Sequence, residues 1–487
     1  MTGKISVLMP RLLLSAIMTM ALFSCPVQAF QNGPASVAPI AKKLVDAVVN
    51  ISTSQTVKGP SGVPLPKVPK GAPFEDFFDD FFNKRGGVPN SDRKISSLGS
   101  GFVIDGKEGL IVTNNHVIEG AEEIEINFHD GSKLKVDKVL GRDTKADLAL
   151  LKVTPKKPLS DVKFGPSATL EVGDWVMAIG NPFGLGGSVS LGIISAKSRD
   201  INSGPYDDYL QTDAAINKGN SGGPLFNMDG EVIGVNTAII SPTGGSIGIG
   251  FAVPSDTVAN VVDQLKQFGE VRRGWLGVKI QTVTDDIAET LGVPENSGAL
   301  IAAVTPESPA AKAGLEAGDV ILKFDNKDVT SMRGLPRIVA QAPIGKAADV
   351  ELLRKGQRKT LQVTVGRLDD GDDTESDLKE QGSESPAPGS SIIGLKLSAL
   401  TSELRRKYGL DDKIKGVVVE SIDPQSAAAK KGIKTGDVIV EAAQEAVSDP
   451  GDVAASVDKV RKAGRKAVLF RVEDGKGDLR FVAVPIS

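Results

Sequence analysis

The chain has 487 residues, of which 40% are hydrophobic and 24% are charged, values typical of soluble globular proteins. This length predicts about three domains. The net charge of −4 argues against a nucleic-acid partner, which a strongly basic surface would indicate, and 54 glycines with only 5% aromatic residues favour β-rich domains over a helical bundle.

Residues 1–29 have the pattern of a secretory signal peptide. A positively charged start precedes the apolar run Leu12–Phe23, and the small residue Ala29 predicts cleavage after it. The apolar run is too short for a comfortable transmembrane helix. Lipid attachment at Cys25 is disfavoured by the residues around it. Cys25 is the only cysteine, so the mature protein has no disulfide and no cysteine nucleophile.

The first part of the mature chain predicts a helix. Over residues 36–50, Ile40, Leu44, Val45 and Val48 recur at helical spacing and would form one apolar face.

A long polar insertion follows, at about 55–95, and it contains five prolines before the segment Phe74–Phe82. In that segment phenylalanines alternate with acidic residues, which is typical of an amphipathic stretch that docks on another surface. Loops of this length are usually functional or disordered. Two interpretations have equal weight: contact with a neighbouring subunit, or a hydrophobic plug on the segment's own domain.

From Leu98 the pattern becomes β, with short apolar stretches between Gly-rich turns. The sequence predicts these strands: Gly101–Ile104, Leu110–Thr113, Ile124–Phe128, Lys133–Val136, Leu148–Val153, Trp175–Ile179, Val189–Ala196, Tyr209–Thr212, Gly223–Phe226, Val232–Asn236 and Gly250–Val253. Such a series predicts paired β-barrels or a sandwich. A helix that begins at Ser255 as its cap and ends at Gly269 closes this region.

The remainder of the chain contains an internal repeat. The 24-residue stretch that starts at Gly298 recurs from about Gly416, and Gly318-Asp319 matches Gly436-Asp437 at the same offset of 118 positions. A match sustained over such a window predicts two copies of one small domain. Between the copies, Asp369–Ser391 is acidic and rich in Gly, Ser and Pro, which predicts a flexible linker.

The stretch Asn217–Leu225 places Ser221 in a Gly-rich loop followed by a proline and an apolar pair. Gly-rich backbone can turn tightly and direct its N–H groups at a ligand, as a nucleophilic serine with an oxyanion hole requires. The same residues are also good β-turn formers. A histidine and a carboxylate elsewhere must therefore decide between the two interpretations.

Only two histidines are present. His129 belongs to a predicted hairpin turn and is expected to face solvent. His116 directly follows an apolar strand, a rigid position for a general base, although a half-buried structural histidine would fit there too. Asp147 enters a buried strand, where a carboxylate needs a partner, and Asp143 is the second choice in a more loop-like position.

His116, Asp147 and Ser221 occur in the chain order of a chymotrypsin-type triad. Two isolated histidines without a mature cysteine cannot supply the usual zinc ligand sets, and no phosphate-binding loop motif is present. The sequence therefore predicts no metal, no cofactor and no use of ATP.

These motifs resemble the HtrA family of periplasmic serine proteases. The resemblance is carried by Thr113–His116, Ala146–Leu151, Asp213–Leu225 and the two C-terminal repeats, which are similar to PDZ domains. The implied fold is mainly β, with a chymotrypsin-like double β-barrel followed by two α+β PDZ domains. The corresponding divisions are a signal peptide (1–29), an N-terminal segment with a long regulatory loop (30–95), the protease domain (96–270), the first PDZ domain (273–367), a linker (368–391) and the second PDZ domain (392–487).

The resemblance also implies roles for individual residues. The N–H groups of Gly219 and Ser221 would form the oxyanion hole, Arg199 would act as the sensor arginine that helps to order the site, and the loop Ile239–Gly250 would line the primary specificity pocket. The carboxylate-binding loop of the first PDZ domain would comprise Arg273, Gly274, Trp275, Leu276, Gly277 and Val278. In the second PDZ domain Ile392–Leu395 takes the corresponding place.

The expected partners are unfolded or misfolded polypeptides and C-terminal peptides. The family further implies a homotrimer that can grow into larger oligomers, peripheral association with the membrane, and a subunit-contact role for Phe74–Phe82. Two alternatives to a periplasmic protease are a chaperone that rarely cleaves and a peptide-binding adaptor. Neither needs His116, Asp147 and Ser221 together.

Overall fold

The computed structural model describes residues 36–57, 93–181, 187–217, 219–241, 245–293, 298–368 and 392–486. The predicted signal peptide, the segment Phe74–Phe82 and residues 369–391 of the predicted linker lie outside these ranges. No helix within them is both long and apolar enough to cross a membrane.

The chain begins with helix α1 (Ala38–Leu44) and a 3-10 turn (Val45–Ala47), and strand β1 starts at Val48. The predicted helix over 36–50 is therefore wrong at its C-terminal end. Val48 lies opposite Phe102 in a sheet and is buried. Val48, Val49 and Ile51 are β-branched, which favours a pleated strand over continuation of the helix.

The first sheet contains seven antiparallel strands: β1 (Val48–Val57), β2 (Arg93–Asp105), β3 (Leu110–Thr113), β4 (Glu123–Asn127), β5 (Lys133–Lys135), β6 (Lys138–Asp143) and β7 (Leu148–Lys152). Their order is β5-β4-β1-β2-β3-β7-β6, and the short helix α2 (Asn115–Ile118) follows β3. Alternate residues face opposite sides. The side chains of Val103, Ile111 and Leu151 pack together in the apolar core on one side of this sheet. Those of Phe102 and Leu150 lie on the other side and pack against the second barrel.

The second sheet is a closed barrel of six strands: β8 (Trp175–Gly180), β9 (Ser188–Arg199), β10 (Tyr209–Thr212), β11 (Pro224–Phe226), β12 (Val232–Ile239) and β13 (Gly250–Pro254). Its interior contains Val176, Leu210, Leu225 and Ile233, all buried. The eleven predicted strands are confirmed as strands in both sheets, most with ends that differ by a few residues, although β2 begins at Arg93 rather than Gly101. Strands β1 and β6 were missed by the sequence pattern.

Helix α3 (Ser255–Phe268) follows the second barrel and packs against residues of both sheets. Val258, Val261, Val262 and Leu265 form one buried stripe at the predicted spacing, and Gly269 ends the helix in a left-handed conformation. The prediction that Ser255 caps the helix is wrong. Pro254 occupies the N-cap position, and the Ser255 hydroxyl donates to the Gly165 carbonyl at 2.6 Å.

Two small domains of equal topology follow. The first contains β14 (Gly274–Trp275), β15 (Val278–Gln281), β16 (Ala299–Val304), β17 (Val320–Phe324), β18 (Lys327–Asp328), β19 (Ala347–Arg354), β20 (Gln357–Thr364) and β21 (Gly366–Arg367), with helices α4 (Asp285–Leu291), α5 (Pro309–Lys312) and α6 (Gly334–Ala340). The second contains β22 (Leu395–Ala399), β23 (Val417–Ile422), β24 (Val438–Ala442), β25 (Glu445–Ala446), β26 (Ala467–Glu473) and β27 (Leu479–Pro485), with helices α7 (Ser402–Tyr408), α8 (Ala427–Lys430) and α9 (Pro450–Lys462). Both sheets have the same strand order, β15-β16-β17-β19-β20 and β22-β23-β24-β26-β27. The predicted repeat is thus confirmed as two copies of one fold.

The first small domain is attached to the double sheet by ion pairs. Arg273 Nη2 donates to Asp143 Oδ2 at 2.5 Å, and the side chains of Arg273 and Asp143 are only 11% and 3% exposed. Arg337 of α6 donates to Asp208 Oδ1, also at 2.5 Å. Of these two pairs, only the Arg273–Asp143 pair is buried, so removal of one of its partners would leave a buried charge uncompensated, and this pair fixes how the domain sits on the barrel.

The two small domains also contact each other. The side-chain amide of Gln281 donates to the carbonyl of Phe481 and accepts from its N–H, both at 2.8 Å. Leu291, Val320 and Leu469 pack in one apolar cluster beside these bonds.

Candidate active site

His116 and Asp147 form a closely coupled pair. The histidine lies on α2, directly after β3, and Asp147 lies in the turn between β6 and β7. Asp147 Oδ2 is 2.6 Å from His116 Nδ1, and Oδ1 accepts from the His116 backbone N–H at 2.9 Å. Both carboxylate oxygens therefore hold the same residue, which orients the imidazole and places the Nδ1 proton toward Asp147.

The backbone of Asp147 is held in an unusual conformation. Its φ of +53° lies in the left-handed region, which is uncommon for a residue other than glycine. The Asp147 carbonyl accepts from Asn115 N–H at 3.1 Å and from Asn114 Nδ2 at 2.7 Å. These two bonds compensate the strain and attach Asp147 to the residues that precede His116.

The charge balance at the pair favours a protonated histidine. Burial by itself lowers the pKa of His116, but the charge of Asp147 and its hydrogen bond, with a smaller contribution from Glu119, outweigh burial. The pKa of His116 is therefore raised above its ordinary value of 6.5. The imidazolium that forms when this ring takes up a proton is thereby stabilised.

Asp143, the second choice from the sequence, has a different partner. It ends strand β6 and is not loop-like as predicted, and its carboxylate pairs with Arg273. Asp147 is thus the carboxylate that contacts His116.

Ser221 lies in a turn that hydrogen bonds lock on both sides. Gly222 N–H donates to the Asn236 carbonyl at 2.8 Å, and Asn236 N–H donates back to the Gly223 carbonyl at 2.9 Å. The Ser221 carbonyl accepts from Ser100 N–H at 2.8 Å. The serine is therefore presented by a rigid turn between β12 and the first sheet.

The serine loop reaches the end of β3, the strand that precedes His116. A Cβ atom on Gly222 would lie 2.4 Å from Thr113 Oγ1 and 2.3 Å from the Ser100 carbonyl oxygen, and the φ of Gly222 is +83°. Only glycine permits this approach. The close contact brings the serine loop against Thr113, three residues before His116.

The predicted oxyanion donors lie in the same turn. Gly219 has a φ of +97°, a conformation that glycine adopts without strain. Among the described residues, no backbone carbonyl accepts a hydrogen bond from the N–H groups of Gly219 or Ser221. Within the part of the chain that the structure describes, both groups are thus available as donors to a developing oxyanion.

The predicted specificity loop is tied to the serine loop. Ser246 N–H donates to Asn217 Oδ1 at 2.9 Å, and a Cβ atom on Gly250 would lie 2.8 Å from Ile216 Cδ1. Residues 242–244 lie outside the described ranges. The apolar side chains of Ile239, which is buried, and Ile240, which is exposed, belong to the same stretch.

The other predicted residues lie away from this turn. Arg199 ends β9 on the surface, and its Nε donates to Gln211 Oε1 at 3.0 Å. Gly274 and Trp275 pair with β21, and Gly277 has a φ of +78° before the sheet-edge strand β15. The side chain of Arg273 is directed to Asp143, so it serves the domain contact rather than the peptide edge.

Several polar residues that support the site were missed by the sequence analysis. Ser100 bonds to the serine loop, and Asn114 Nδ2 donates both to the Asp147 carbonyl and to Thr237 Oγ1, the latter at 3.0 Å. The sequence signal that could have identified Ser100 is its polar side chain, which lies between Gly99 and Gly101 in a buried part of strand β2. Within the described ranges, no group of three His, Cys, Asp or Glu side chains is placed to hold a metal ion.

Comparison with known proteins agrees with this geometry. Residues 99–235 match the family model of a trypsin-like peptidase domain, and residues 274–365 and 384–469 each match that of a PDZ domain. The chain is 42% identical to a DegP-like periplasmic serine endoprotease of Brucella suis over 482 residues, which covers 93% of this chain and 90% of the relative. A DegP-like endoprotease of Pseudomonas fulva is 41% identical, with 88% and 90% covered.

Two solved structures resemble the chain in the same way. The HtrA-type protease AlgW with a decapeptide is 38% identical, has a TM-score of 0.55, and covers 69% of this chain and 99% of its own. The same protease with a tripeptide is 37% identical, has a TM-score of 0.56, and covers 69% and 98%.

Proposed function

Because this chain belongs to the HtrA family, among the DegP-like periplasmic serine endoproteases, we propose that it degrades unfolded exported polypeptides through His116, Asp147 and Ser221. The observation that carries the assignment is the two-point contact of Asp147 with His116, next to the rigid serine turn. The enzyme is a serine endopeptidase, and the roles of its individual residues are the proposal.

Each residue has one task in the proposed mechanism. Ser221 Oγ attacks the scissile carbonyl carbon, His116 Nε2 takes the hydroxyl proton, and the same proton then passes to the leaving amine. Asp147 keeps the Nδ1 proton in place and stabilises the imidazolium. The N–H groups of Gly219 and Ser221 donate to the tetrahedral oxyanion, a contribution that reaches about 3 kcal/mol per donor. Water then hydrolyses the acyl-enzyme with His116 again acting as base.

The PDZ domains are proposed to deliver substrate. Strands β15 and β22 lie at the edges of their sheets, and a peptide strand is proposed to add at these edges. AlgW, a similar protease, has been solved with a decapeptide and with a tripeptide. By analogy the PDZ domains bind C-terminal peptides, and tethering raises the effective concentration of the chain at Ser221. The loop Leu276–Val278 is the proposed carboxylate site.

Further features follow from family membership alone. We propose a homotrimer able to form larger oligomers, contact of Phe74–Phe82 with a neighbouring subunit, and a site-ordering role for Arg199. Cleavage after medium-sized apolar residues is expected from the small aliphatic side chains of Ile239–Gly250. Chaperone activity stays a prediction.

Selective cleavage of unfolded substrates tests the proposed function. Without ATP, the enzyme should degrade reduced and carboxymethylated lactalbumin while leaving the native, disulfide-bonded protein intact, because only the unfolded chain supplies free strand edges and accessible apolar residues. Gel electrophoresis over time, with size-exclusion chromatography beside it, measures both activity and assembly. Equal cleavage of both forms, or a requirement for ATP, would contradict the proposal.

The raised pKa of His116 predicts a specific pH dependence. The ring acts as a base only when it is neutral, so kcat/KM for a short peptide should fall as the pH drops through a midpoint above 6.5. The stability contribution has the opposite sign: the charged His116–Asp147 pair stabilises the fold fully below pH 6.5, and this is lost as the pH rises through the folded-state pKa.

A titration of His116 by NMR in the Ser221→Ala variant provides the control. Its midpoint should lie above 6.5, and an Asp147→Asn change should move it down because the neighbouring charge is lost. A flat pH–rate profile down to pH 5, or a His116 midpoint below 6.5, would count against His116 as the base.

A further inference from the structure

Ser100 makes an unusual set of contacts for a residue in the middle of a strand. It lies on β2 with no exposed surface, at the junction between the first sheet and the second barrel. Its Oγ donates to the Gly219 carbonyl at 2.5 Å, and its backbone N–H donates to the Ser221 carbonyl at 2.8 Å. One residue thus binds the carbonyl groups of both residues that are proposed to supply the oxyanion donors.

The direction of the Ser100 hydroxyl is determined by its surroundings. Asn181 N–H donates to Ser100 Oγ at 2.9 Å, so the hydroxyl accepts on that side and its own proton is left for the Gly219 carbonyl. The backbone of Ser100 is held in turn, because Thr113 Oγ1 donates to its carbonyl at 2.8 Å. The hydroxyl therefore has one orientation, in a site where side chains on the neighbouring Gly99 and Gly101 would clash with Val117 and Ile51.

We infer that Ser100 is a positioning residue for the oxyanion hole. The Gly219 carbonyl belongs to the peptide bond between Gly219 and Asn220, which lies between the two donor N–H groups, and it can rotate because glycine imposes little restriction on its backbone. The Ser100 hydroxyl selects one orientation of that peptide bond and thereby sets where the Ser221 N–H lies relative to that of Gly219. The backbone bond to the Ser221 carbonyl holds the other end of the same three-residue turn. The first sheet, which carries His116 and Asp147, thereby also sets the geometry of the donors on the second barrel. Ser100 touches neither substrate nor reacting atoms, and this inference rests on the proposed function.

The expected effect is on the transition state rather than on substrate binding. Ser100→Ala removes the hydroxyl but retains the backbone bond to Ser221. Loss of a whole oxyanion donor costs about 10²–10³ in rate, so a misdirected donor should lower kcat by about 10–100-fold. KM should stay within about twofold of the wild-type value, because ground-state contacts to the substrate are unchanged.

The matched control is Ser255→Ala. Ser255 is also buried, and its hydroxyl donates to a backbone carbonyl, that of Gly165, at 2.6 Å in the same protease domain but at the start of α3. Ser100→Ala loses two bonds, to the Gly219 carbonyl and from the Asn181 N–H, whereas Ser255→Ala loses one. Each leaves a buried group unpaired, so both variants should show a fall in Tm, the larger one in Ser100→Ala. Only Ser100→Ala should lose kcat.

Three measurements on the full-length protein decide the matter: kcat and KM on a short peptide, the affinity for a peptide boronic acid that mimics the tetrahedral intermediate, and Tm. For Ser100→Ala, boronate affinity should weaken by the same factor as kcat, whereas Ser255→Ala should leave both at wild-type values. Equal kcat in the wild type and Ser100→Ala, or equal losses in both variants, would overturn the inference. Failure of Ser100→Ala alone to fold would overturn it too, since Ser100 would then be a residue of general stability. Full cleavage by Ser221→Ala, included as a fourth protein, would instead refute the proposed function itself.

Discussion

Replacement of Ser221 by alanine is expected to abolish proteolysis, with a fall in kcat of about 10⁶-fold. The variant retains the turn and the N–H donors but has no nucleophile, so only the weak catalysis of the oxyanion hole remains. A fluorogenic peptide and denatured casein provide the rates. A fluorophosphonate probe, which reacts only with an activated serine, should label the wild type and not the variant.

The control for this experiment is Ser132→Ala, since Ser132 lies exposed in the hairpin turn between β4 and β5. It should cleave and be labelled like the wild type. Binding of a C-terminal peptide, followed by calorimetry, should be the same in all three proteins because the PDZ domains are untouched. Cleavage that persists in Ser221→Ala would show that another group is the nucleophile.

Asp147→Asn should cost about 10⁴ in kcat while leaving the fold intact. An asparagine side chain can still occupy the site, but an amide that donates to Nδ1 would leave the histidine in the wrong tautomer, and the imidazolium would lose its negative neighbour. The measurement is kcat on a short peptide across the pH range, with circular dichroism to verify folding. The effect should be much smaller on KM than on kcat.

Asp143→Asn is the informative comparison, because the sequence alone left Asp143 as a rival for the same role. Asp143 pairs with Arg273 and is buried, so its change should lower Tm and loosen the first PDZ domain. A short peptide that needs no PDZ contact should still be cleaved with kcat of the same order as in the wild type. If Asp143→Asn abolished peptide cleavage and Asp147→Asn did not, the assignment of the carboxylate would be reversed.

The primary sequence was sufficient for much of the fold. Alternating apolar residues placed the strands of both sheets, since side-chain period and burial are local properties of a β-strand. The repeat was visible because Gly318-Asp319 and Gly436-Asp437 must both make the same turn, with each aspartate buried against an arginine, Arg354 in the first copy and Arg480 in the second. Local patterns failed where the same residues could form either a helix or a strand. At Val48 the sequence predicted a helix, but this residue pairs with Phe102 in the first sheet.

For the candidate site, too, some features followed from the sequence and others only from the tertiary structure. Residue types and chain order were enough to predict His116 and Ser221 and to prefer Asp147 to Asp143, because their chemistry and their positions near strand ends are visible in short motifs. Tertiary structure alone decided that Asp147 rather than Asp143 meets the histidine, that Arg273 is committed to a domain contact, and that Ser100 holds the serine turn. Each of these outcomes depends on two residues distant in the chain. Long-range contacts depend on how whole sheets pack together, and a local pattern of polarity does not reveal them.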